Sequence, residues 1–352
     1  MHGITKRMIN MLVVFSTVVC LALNANAKNF EVAYGTVSAD GNKLSGMGFN
    51  TVKQETGVIE YNFSPSFQHS AVVMFTPLGV RNTAVRIVKH QSQNRKEQVN
   101  SDSYNLHTHE GRIPSQQDMP LSFVALAKID GDYTSGLLRS DQAQLVAYKW
   151  INGAVSSQSN VKIARPISTG KYIIEFGEAF DGIPGAVANY NQLVAVDNQG
   201  SEPIRTVTVL ELKEDYAIIG ITDEQGNWVD ANFTFIAIGK AAPGVTSGLL
   251  SQAEVAYGRY EKGDNESRTF GYNMGTSSKT KPADYEIPFT PEFIEHPFII
   301  ANVEHSSENH LRQVQITGSS EKAHLQVVGR TICCGLGAGN DARYDILAIA
   351  TP

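Results

Sequence analysis

Apolar and polar residues alternate along many short segments of this chain, and a period of two predicts β-strands whose two faces differ. The segment Thr206–Leu212 alternates in this way, and Tyr216–Ile221 follows it after a short polar connection. A Gly-Asn pair at 226–227 then marks a turn before Phe233–Ile238. No stretch after the first 27 residues carries an uninterrupted apolar stripe at helical spacing. The pattern therefore predicts an all-β protein.

One order of landmarks occurs three times along the chain, with a period of roughly 110 residues. Two sets of phenylalanines step by 113 positions each time: Phe63, Phe176 and Phe289, and Phe67, Phe180 and Phe293. A tyrosine landmark steps by 114 and then 109 positions: Ala33-Tyr34-Gly35, Ala147-Tyr148-Lys149 and Ala256-Tyr257-Gly258. A unit of this length can bury a core by itself. The landmarks therefore predict a tandem triplication of a whole domain.

These repeats predict three tandem antiparallel β-sandwich domains of jelly-roll type, at 28–130, 131–243 and 244–352. The turn-rich segments near residues 131 and 241–244 set the two boundaries. Each domain is expected to hold six to eight short strands in two sheets, and each sheet is expected to keep one face wet.

Residues 1–27 have the pattern of a secretory signal peptide. Lys6 and Arg7 precede an apolar run at 11–23, and Ala25-Asn26-Ala27 matches the small-residue cleavage pattern, with cleavage after Ala27. The run is too short for a hydrocarbon layer of about 30 Å. No later segment is apolar enough to span a membrane. We therefore expect a soluble protein that is secreted or periplasmic.

The second repeat resembles the small β-sandwich domains of H-type lectins and phage tail fibres. The residues that carry the resemblance are Gly170 to Phe180, Pro184, Arg205 to Val209, Tyr216 to Ile218 and Phe233 to Gly239. The resemblance implies a sandwich that binds sugars or surfaces, often as a trimer, and it assigns no sugar-contacting residue here. Phe235 stands near the place where such lectins often have a tryptophan.

The charge and the motifs narrow the class of function. The net charge is −6 and no basic stripe is present, which argues against nucleic acid as a partner. No nucleophile elbow or phosphate-binding loop occurs, so we predict a protein that is not an enzyme and needs no cofactor. The favoured function is a binding or adhesion protein for a glycan or cell surface. The alternative is a structural component of a coat, stalk or fibre that self-assembles as a homo-oligomer. A glycan hydrolase using Glu175 and Glu178 is less well supported.

Sugar binding usually requires an exposed aromatic ring surrounded by polar side chains. Trp228 lies between Asn227 and Asp230 at a predicted hairpin tip, Trp150 begins a loop, and Tyr190 ends a strand. These five residues are the predicted ligand-binding set. The competing interpretation is that each tryptophan closes the end of its sandwich.

The remaining reactive residues give weaker signals. Cys333 and Cys334 are adjacent and the mature chain holds no other cysteine, so they are two free thiols, a vicinal disulfide or a link between chains. Histidines occur in two loop groups that match no structural zinc spacing: His107 and His109 with Glu110, and His296, His305 and His310 with Glu304 and Glu308. Solvated loop histidines are favoured over a weak divalent-metal site, and no metal is predicted.

Overall fold

Strand-forming segments dominate the computed structural model, as the period of two predicts. It describes residues 30–79, 83–93, 96–105, 115–131, 136–151, 153–190, 205–223, 225–260, 268–281, 284–304, 310–331, 335–337 and 343–351. Within these ranges every element is a β-strand except one short 3₁₀ helix. The all-β class is confirmed. None of the described residues forms a helix with the length and apolarity to cross a membrane. The predicted signal peptide lies outside the described residues.

The first repeat folds into two facing sheets. Its strands are β1 (Phe30–Val37), β2 (Lys43–Met47), β3 (Phe49–Glu55), β4 (Val58–Phe63), β5 (Val72–Pro77), β6 (Thr83–Gln93), β7 (Lys96–Asn105), β8 (Ser115–Gln116) and β9 (Leu121–Lys128). The inner sheet has the order β1-β9-β5, with β2 also paired to β1, and the outer sheet has the order β3-β4-β7-β6, with β8 paired to β7. One buried apolar cluster lies between the two sheets.

The second repeat has the same plan. Its strands are β10 (Leu138–Arg139), β11 (Ala143–Ile151), β12 (Ala154–Ser159), β13 (Val161–Ser168), β14 (Lys171–Phe176), β15 (Gly185–Tyr190), β16 (Thr206–Leu212), β17 (Tyr216–Thr222) and β18 (Phe233–Lys240). The inner order is β12-β11-β18-β15 and the outer order is β13-β14-β17-β16, while β10 pairs with β1 at the edge of the first repeat's inner sheet. Along β14, buried and partly buried residues alternate strictly, as expected for a strand of an outer sheet.

The third repeat completes the set. The 3₁₀ helix Leu250–Gln252 precedes β19 (Glu254–Tyr260), β20 (Arg268–Tyr272), β21 (Ser278–Lys281), β22 (Asp284–Pro288), β23 (Phe298–Glu304), β24 (His310–Gly318), β25 (Lys322–Thr331), β26 (Gly335–Gly337) and β27 (Arg343–Ala350). The inner order is β20-β19-β27-β23 and the outer order is β21-β22-β25-β24, with β26 paired to β25. One parallel pair between Glu304 of β23 and Ile87 of β6 joins this inner sheet to the outer sheet of the first repeat. The sequence therefore correctly predicts sandwiches of antiparallel strands. The exact domain boundaries stay a prediction.

The three inner sheets share a fourth core that the sequence analysis did not predict. Equivalent positions from all three repeats form one buried cluster, including Met74, Val187 and Ile300. Those three residues stand 113 positions apart, and each pairs with the closing strand of its own inner sheet. The expectation of one wet face per sheet is wrong for the inner sheets, because strands such as β1 are buried on both faces.

The strands β5, β15 and β23 pack against one another where the three inner sheets meet. Each also packs on the inner sheet of another repeat: β5 on the third, β15 on the first and β23 on the second. Three side chains at equivalent positions bond the backbone of the neighbouring strand: Thr76 Oγ1 accepts from Ala188 N at 3.0 Å, Asn189 Nδ2 donates to Ala301 O at 2.6 Å, and Asn302 Nδ2 donates to Phe75 O at 3.4 Å. The sandwiches thus close into a ring with pseudo-threefold symmetry.

A left-handed residue marks the corner where the chain passes from the inner to the outer sheet. Gly48, Asn160 and Asn273 have positive φ angles of 81°, 52° and 56°. Glycine, and to a lesser degree asparagine, tolerates this backbone region. Asn273 Nδ2 also donates to Val255 O at 3.0 Å, which ties the corner to the first inner strand.

The tyrosine landmark is wrong by one position in the second repeat. In the inner sheets Tyr34 pairs with Val124 and Tyr257 with Leu347, but the residue at the corresponding place is Ala147, which pairs with Ile236. A slip of one residue places a side chain on the opposite face of its sheet. Tyr34 and Tyr257 therefore point into the shared core, whereas Tyr148 points into the core of its own sandwich.

Candidate functional site

The predicted binding residues of the second repeat gather near one end of its sandwich, but two of them face inward. Trp150 and Tyr190 both pair with Phe233, on either side of it. Tyr190 is 6% exposed and belongs to the sandwich core. Trp150 is half-buried and its ring lies 5.5 Å from that of Tyr172. Neither ring is therefore free to stack on a ligand, and the interpretation that Trp150 closes its sandwich fits this packing.

Asp230 has a structural role in the loop. Its Oδ1 accepts hydrogen bonds from Gly170 N at 2.7 Å and from the Tyr172 hydroxyl at 3.0 Å. In the first repeat, Asp118 accepts a bond from Gly57 N at 2.7 Å in the same arrangement. The shared bond stabilises the hairpin between the first two outer strands in the first and second sandwiches. Asp230 is thus occupied by a contact that the fold itself repeats.

Asn227 and Trp228 lie at the surface of the same loop. Asn227 is exposed, and its backbone N–H donates to Asp223 Oδ1 at 2.8 Å, which closes a tight Asx-type turn. The Trp228 ring packs over Gly220, where an added Cβ would come within 2.7 Å of it. The Lys171 ammonium lies 4.6 Å from the ring centroid, at cation–π distance. Asn227 is therefore exposed, and Trp228 is partly buried by its contacts with Gly220 and Lys171.

Most residues of the predicted cysteine and metal groups lie outside the described part of the chain. Cys333 and Cys334 lie outside the described residues, as do His107, His109 and His305. Across the described ranges, no group of three or more potential metal ligands comes together.

A cleft of about 500 Å³ lies between the second and third repeats. Its floor comes from β11 and β12, and its opposite wall comes from the segment that precedes β23. The lining residues are Lys149, Ile151, Ser156, Ser157, Gln158, Glu295, His296, Phe298, Gly318 and Thr351. Hydroxyl, amide and charged groups make up most of this lining, beside the apolar Ile151 and the almost fully buried Phe298.

Lys149 is the most unusual residue of this cleft. It lies on an inner strand that is otherwise largely apolar, and only 8% of it is exposed. Burial lowers the pKa of its ammonium group, because a charged group is less stable away from water. Among the described residues, no hydrogen bond or ion pair involves that ammonium. Glu295 and His296 are exposed at the rim of the cleft.

The pseudo-symmetry shows how the other two repeats treat the same position. The three matched pairs across the first and last inner strands are Thr36 with Ser122, Lys149 with Thr234, and Arg259 with Asp345. In the third repeat, two bonds of 2.7 Å join the guanidinium to the buried carboxylate. In the first repeat both side chains are neutral, and the Thr36 hydroxyl lies 2.7 Å from that of Ser45. Only the second of these pairs combines a cation with a neutral partner.

Sequence reasoning missed this cleft because it forms between repeats. One signal was present: Lys149 follows five largely apolar positions in a strand, where a charged residue needs an explanation. The misplaced tyrosine landmark matched Lys149 with glycines of the other repeats and so concealed its relation to Arg259. His296 was noted only as a member of a possible metal group.

Comparisons of the chain with protein-family models, with characterised proteins and with solved structures find no match. The function therefore has to be argued from the geometry alone.

Proposed function

We propose that this chain is a non-catalytic binding or adhesion protein that acts outside the cytoplasm and binds a saccharide in the cleft between its second and third repeats. The observation that carries the proposal is the cleft itself. Its volume of about 500 Å³ suits one or two sugar rings, and Ser157, Gln158 and Thr351 offer hydrogen bonds to sugar hydroxyls. Ile151 is partly exposed and provides apolar surface beside them.

The ring of three sandwiches supports the same proposal. The lectin-like resemblance implies trimers, and here a single chain packs three similar sandwiches around one buried core. Clefts between neighbouring sandwiches are then fixed by the fold and need no second chain. A pre-formed site avoids the ordering cost that a flexible loop would pay on binding.

A glycan array probed with residues 28–352 tests the proposal. Ser157→Trp would place a large ring in the cleft, and we expect it to abolish the signal. Ser168→Trp is the matched control, because Ser168 is exposed on β13 and does not line the cleft. Absence of any glycan signal, or full retention of it by Ser157→Trp, contradicts the proposal. Loss of signal in Trp228→Ala alone would move the site to the predicted loop.

A second function, self-assembly, has one observation in its favour. Ile163 and Ile167 are 41% and 48% exposed on β13, which is an edge strand of its outer sheet. Exposed apolar edges can pair with another chain. Light scattering of the wild type and of the Ile163→Ser, Ile167→Ser double variant tests this alternative. A multimeric wild type with a monomeric double variant supports self-assembly, and a monomeric wild type refutes it.

A further inference from the structure

We infer that the cleft selects saccharides that carry an acidic group, a carboxylate or a sulfate, and that Lys149 provides the positive charge that binds it. This inference rests on the proposed function, because it takes the ligand to be a saccharide and the cleft to be its site. It adds the chemical class of the ligand and the residue that distinguishes that class from neutral sugars.

The first step of the argument is the cost of leaving a buried charge without a partner. A desolvated ammonium loses its water and requires compensation by an anion or by several acceptors. More than nine-tenths of Lys149 is buried, and its side chain lines the cleft. No partner for its ammonium occurs among the described residues. An anion that enters the cleft would provide the missing compensation.

The second step is the comparison among equivalent positions. The third repeat contains its own acid, since the Asp345 carboxylate accepts two hydrogen bonds from the Arg259 guanidinium. The first repeat avoids the charge with Thr36 and Ser122. In the second repeat the cation stands opposite Thr234, and the space beside it is an open cleft. At this position the first repeat has a neutral pair and the third repeat has an ion pair. The second repeat places a cation opposite a neutral side chain.

The third step concerns the other charges around the cleft. Glu295 and His296 face it from the third repeat, and both are exposed. A carboxylate at the rim disfavours a second acid nearby, so the acidic group of a ligand is directed toward the Lys149 end. The neutral part of the sugar then lies over Ser157 and Ile151. The arrangement favours a ligand with one acidic group over a densely charged polymer.

Titration calorimetry with matched sugar pairs tests the inference. The probes are galactose with galacturonate, glucose with glucuronate, and galactose with galactose 6-sulfate, which also separates carboxylate from sulfate. We expect the acidic member of at least one pair to bind about 10- to 100-fold more tightly, as for a charge-assisted hydrogen bond in a desolvated site. Lys149→Met should remove this preference, measured as the ratio of the affinities for the acidic and the neutral member of one pair in the same variant.

Three controls keep the result interpretable. Lys171→Met removes an ammonium outside the cleft and should change nothing in the preference. Lys149→Arg keeps the charge and should retain part of the preference. Thr234→Asp supplies an internal acid, as Asp345 does in the third repeat, and should abolish acid binding without removing the lysine. Thermal unfolding confirms that each variant is folded.

The outcomes separate the inference from the proposed function. Equal binding of acidic and neutral members, or an acid preference that survives both Lys149→Met and Thr234→Asp, overturns the inference and leaves saccharide binding intact. No binding of any sugar, here and on the glycan array, overturns the proposed function and the inference with it.

Discussion

Removal of one half of the buried Arg259–Asp345 pair should destabilise the whole molecule. The two side chains are 7% and 1% exposed, and two bonds of 2.7 Å join them. Asp345→Ser leaves a guanidinium buried beside the Phe270 ring, whose centroid is 5.8 Å away. Breaking such a pair costs about 3–5 kcal/mol, because the remaining charge stays desolvated. Arg259→Thr should cost a similar amount, since it removes the guanidinium that donates both of these bonds to the buried carboxylate.

The expected shift in melting temperature depends on how much of the chain unfolds together. Unfolding entropy is about 2.1 cal/mol/K per residue. If about 320 residues melt as one unit, a loss of about 4 kcal/mol lowers the Tm by about 6 °C. If one sandwich of about 110 residues melts alone, the same loss lowers its Tm by about 17 °C. Because all three repeats share one buried core, we expect a single transition and the smaller shift.

Differential scanning calorimetry of the two single variants and the double variant measures these quantities. Arg259→Thr with Asp345→Ser recreates the neutral pair that the first repeat has at Thr36 and Ser122. The double variant should therefore recover at least half of the loss of either single variant, a coupling that a double-mutant cycle quantifies. A shift under about 2 °C for Asp345→Ser, or strictly additive losses, would refute the reasoning.

Three further predictions address the register, the loop and the cleft. Tyr257→Phe should lower the free energy of unfolding by about 1–2 kcal/mol, because the Tyr257 hydroxyl accepts a hydrogen bond of 2.8 Å from the backbone of the first repeat. Tyr148→Phe should be neutral or stabilising, because the Tyr148 hydroxyl is buried with no partner in the described structure. Thermal melts compare the two variants. Asp118→Ala and Asp230→Ala should each lower the free energy of unfolding, measured by urea titration, by about 1 kcal/mol, because each removes an equivalent hairpin bond. Both variants should keep their glycan binding. Loss of binding with unchanged stability would contradict this structural role. Lys149→Met should raise the Tm at pH 7 without ligand, because the native state then no longer buries the ammonium, whose charged form burial disfavours. Burial lowers the pKa of Lys149 in the folded protein below its ordinary 10.5. The wild type therefore gains stability as the pH rises from that lowered pKa toward 10.5, because the folded protein loses this proton first. The difference in Tm between the variant and the wild type should shrink between about pH 7 and 10.

The sequence predicts the individual sandwiches well because their cores follow local rules. Phe63 and Phe176 lie in the cores that the 113-residue spacing predicts, and buried and partly buried residues alternate along β14. The shared core was not predicted, because β1 and its counterparts carry apolar residues on both faces and nothing local tells which neighbour covers the second face. The slip at Tyr148 has the same cause, since residue identity alone does not fix the register of a strand.

The departures from pseudo-symmetry are more informative about function than the repeated features. Features that recur, such as the hairpin bonds of Asp118 and Asp230, serve the fold in each repeat and so argue against a ligand role for either residue. Lys149 differs from its equivalents in the opposite sense. Thr234 stands opposite this buried cation, and no acid pairs with it within the described part of the chain. The neutral pair of the first repeat shows that a charge is unnecessary for packing at this position. A feature that costs stability and opens on a cleft is where a binding site is expected in a molecule built from three similar parts.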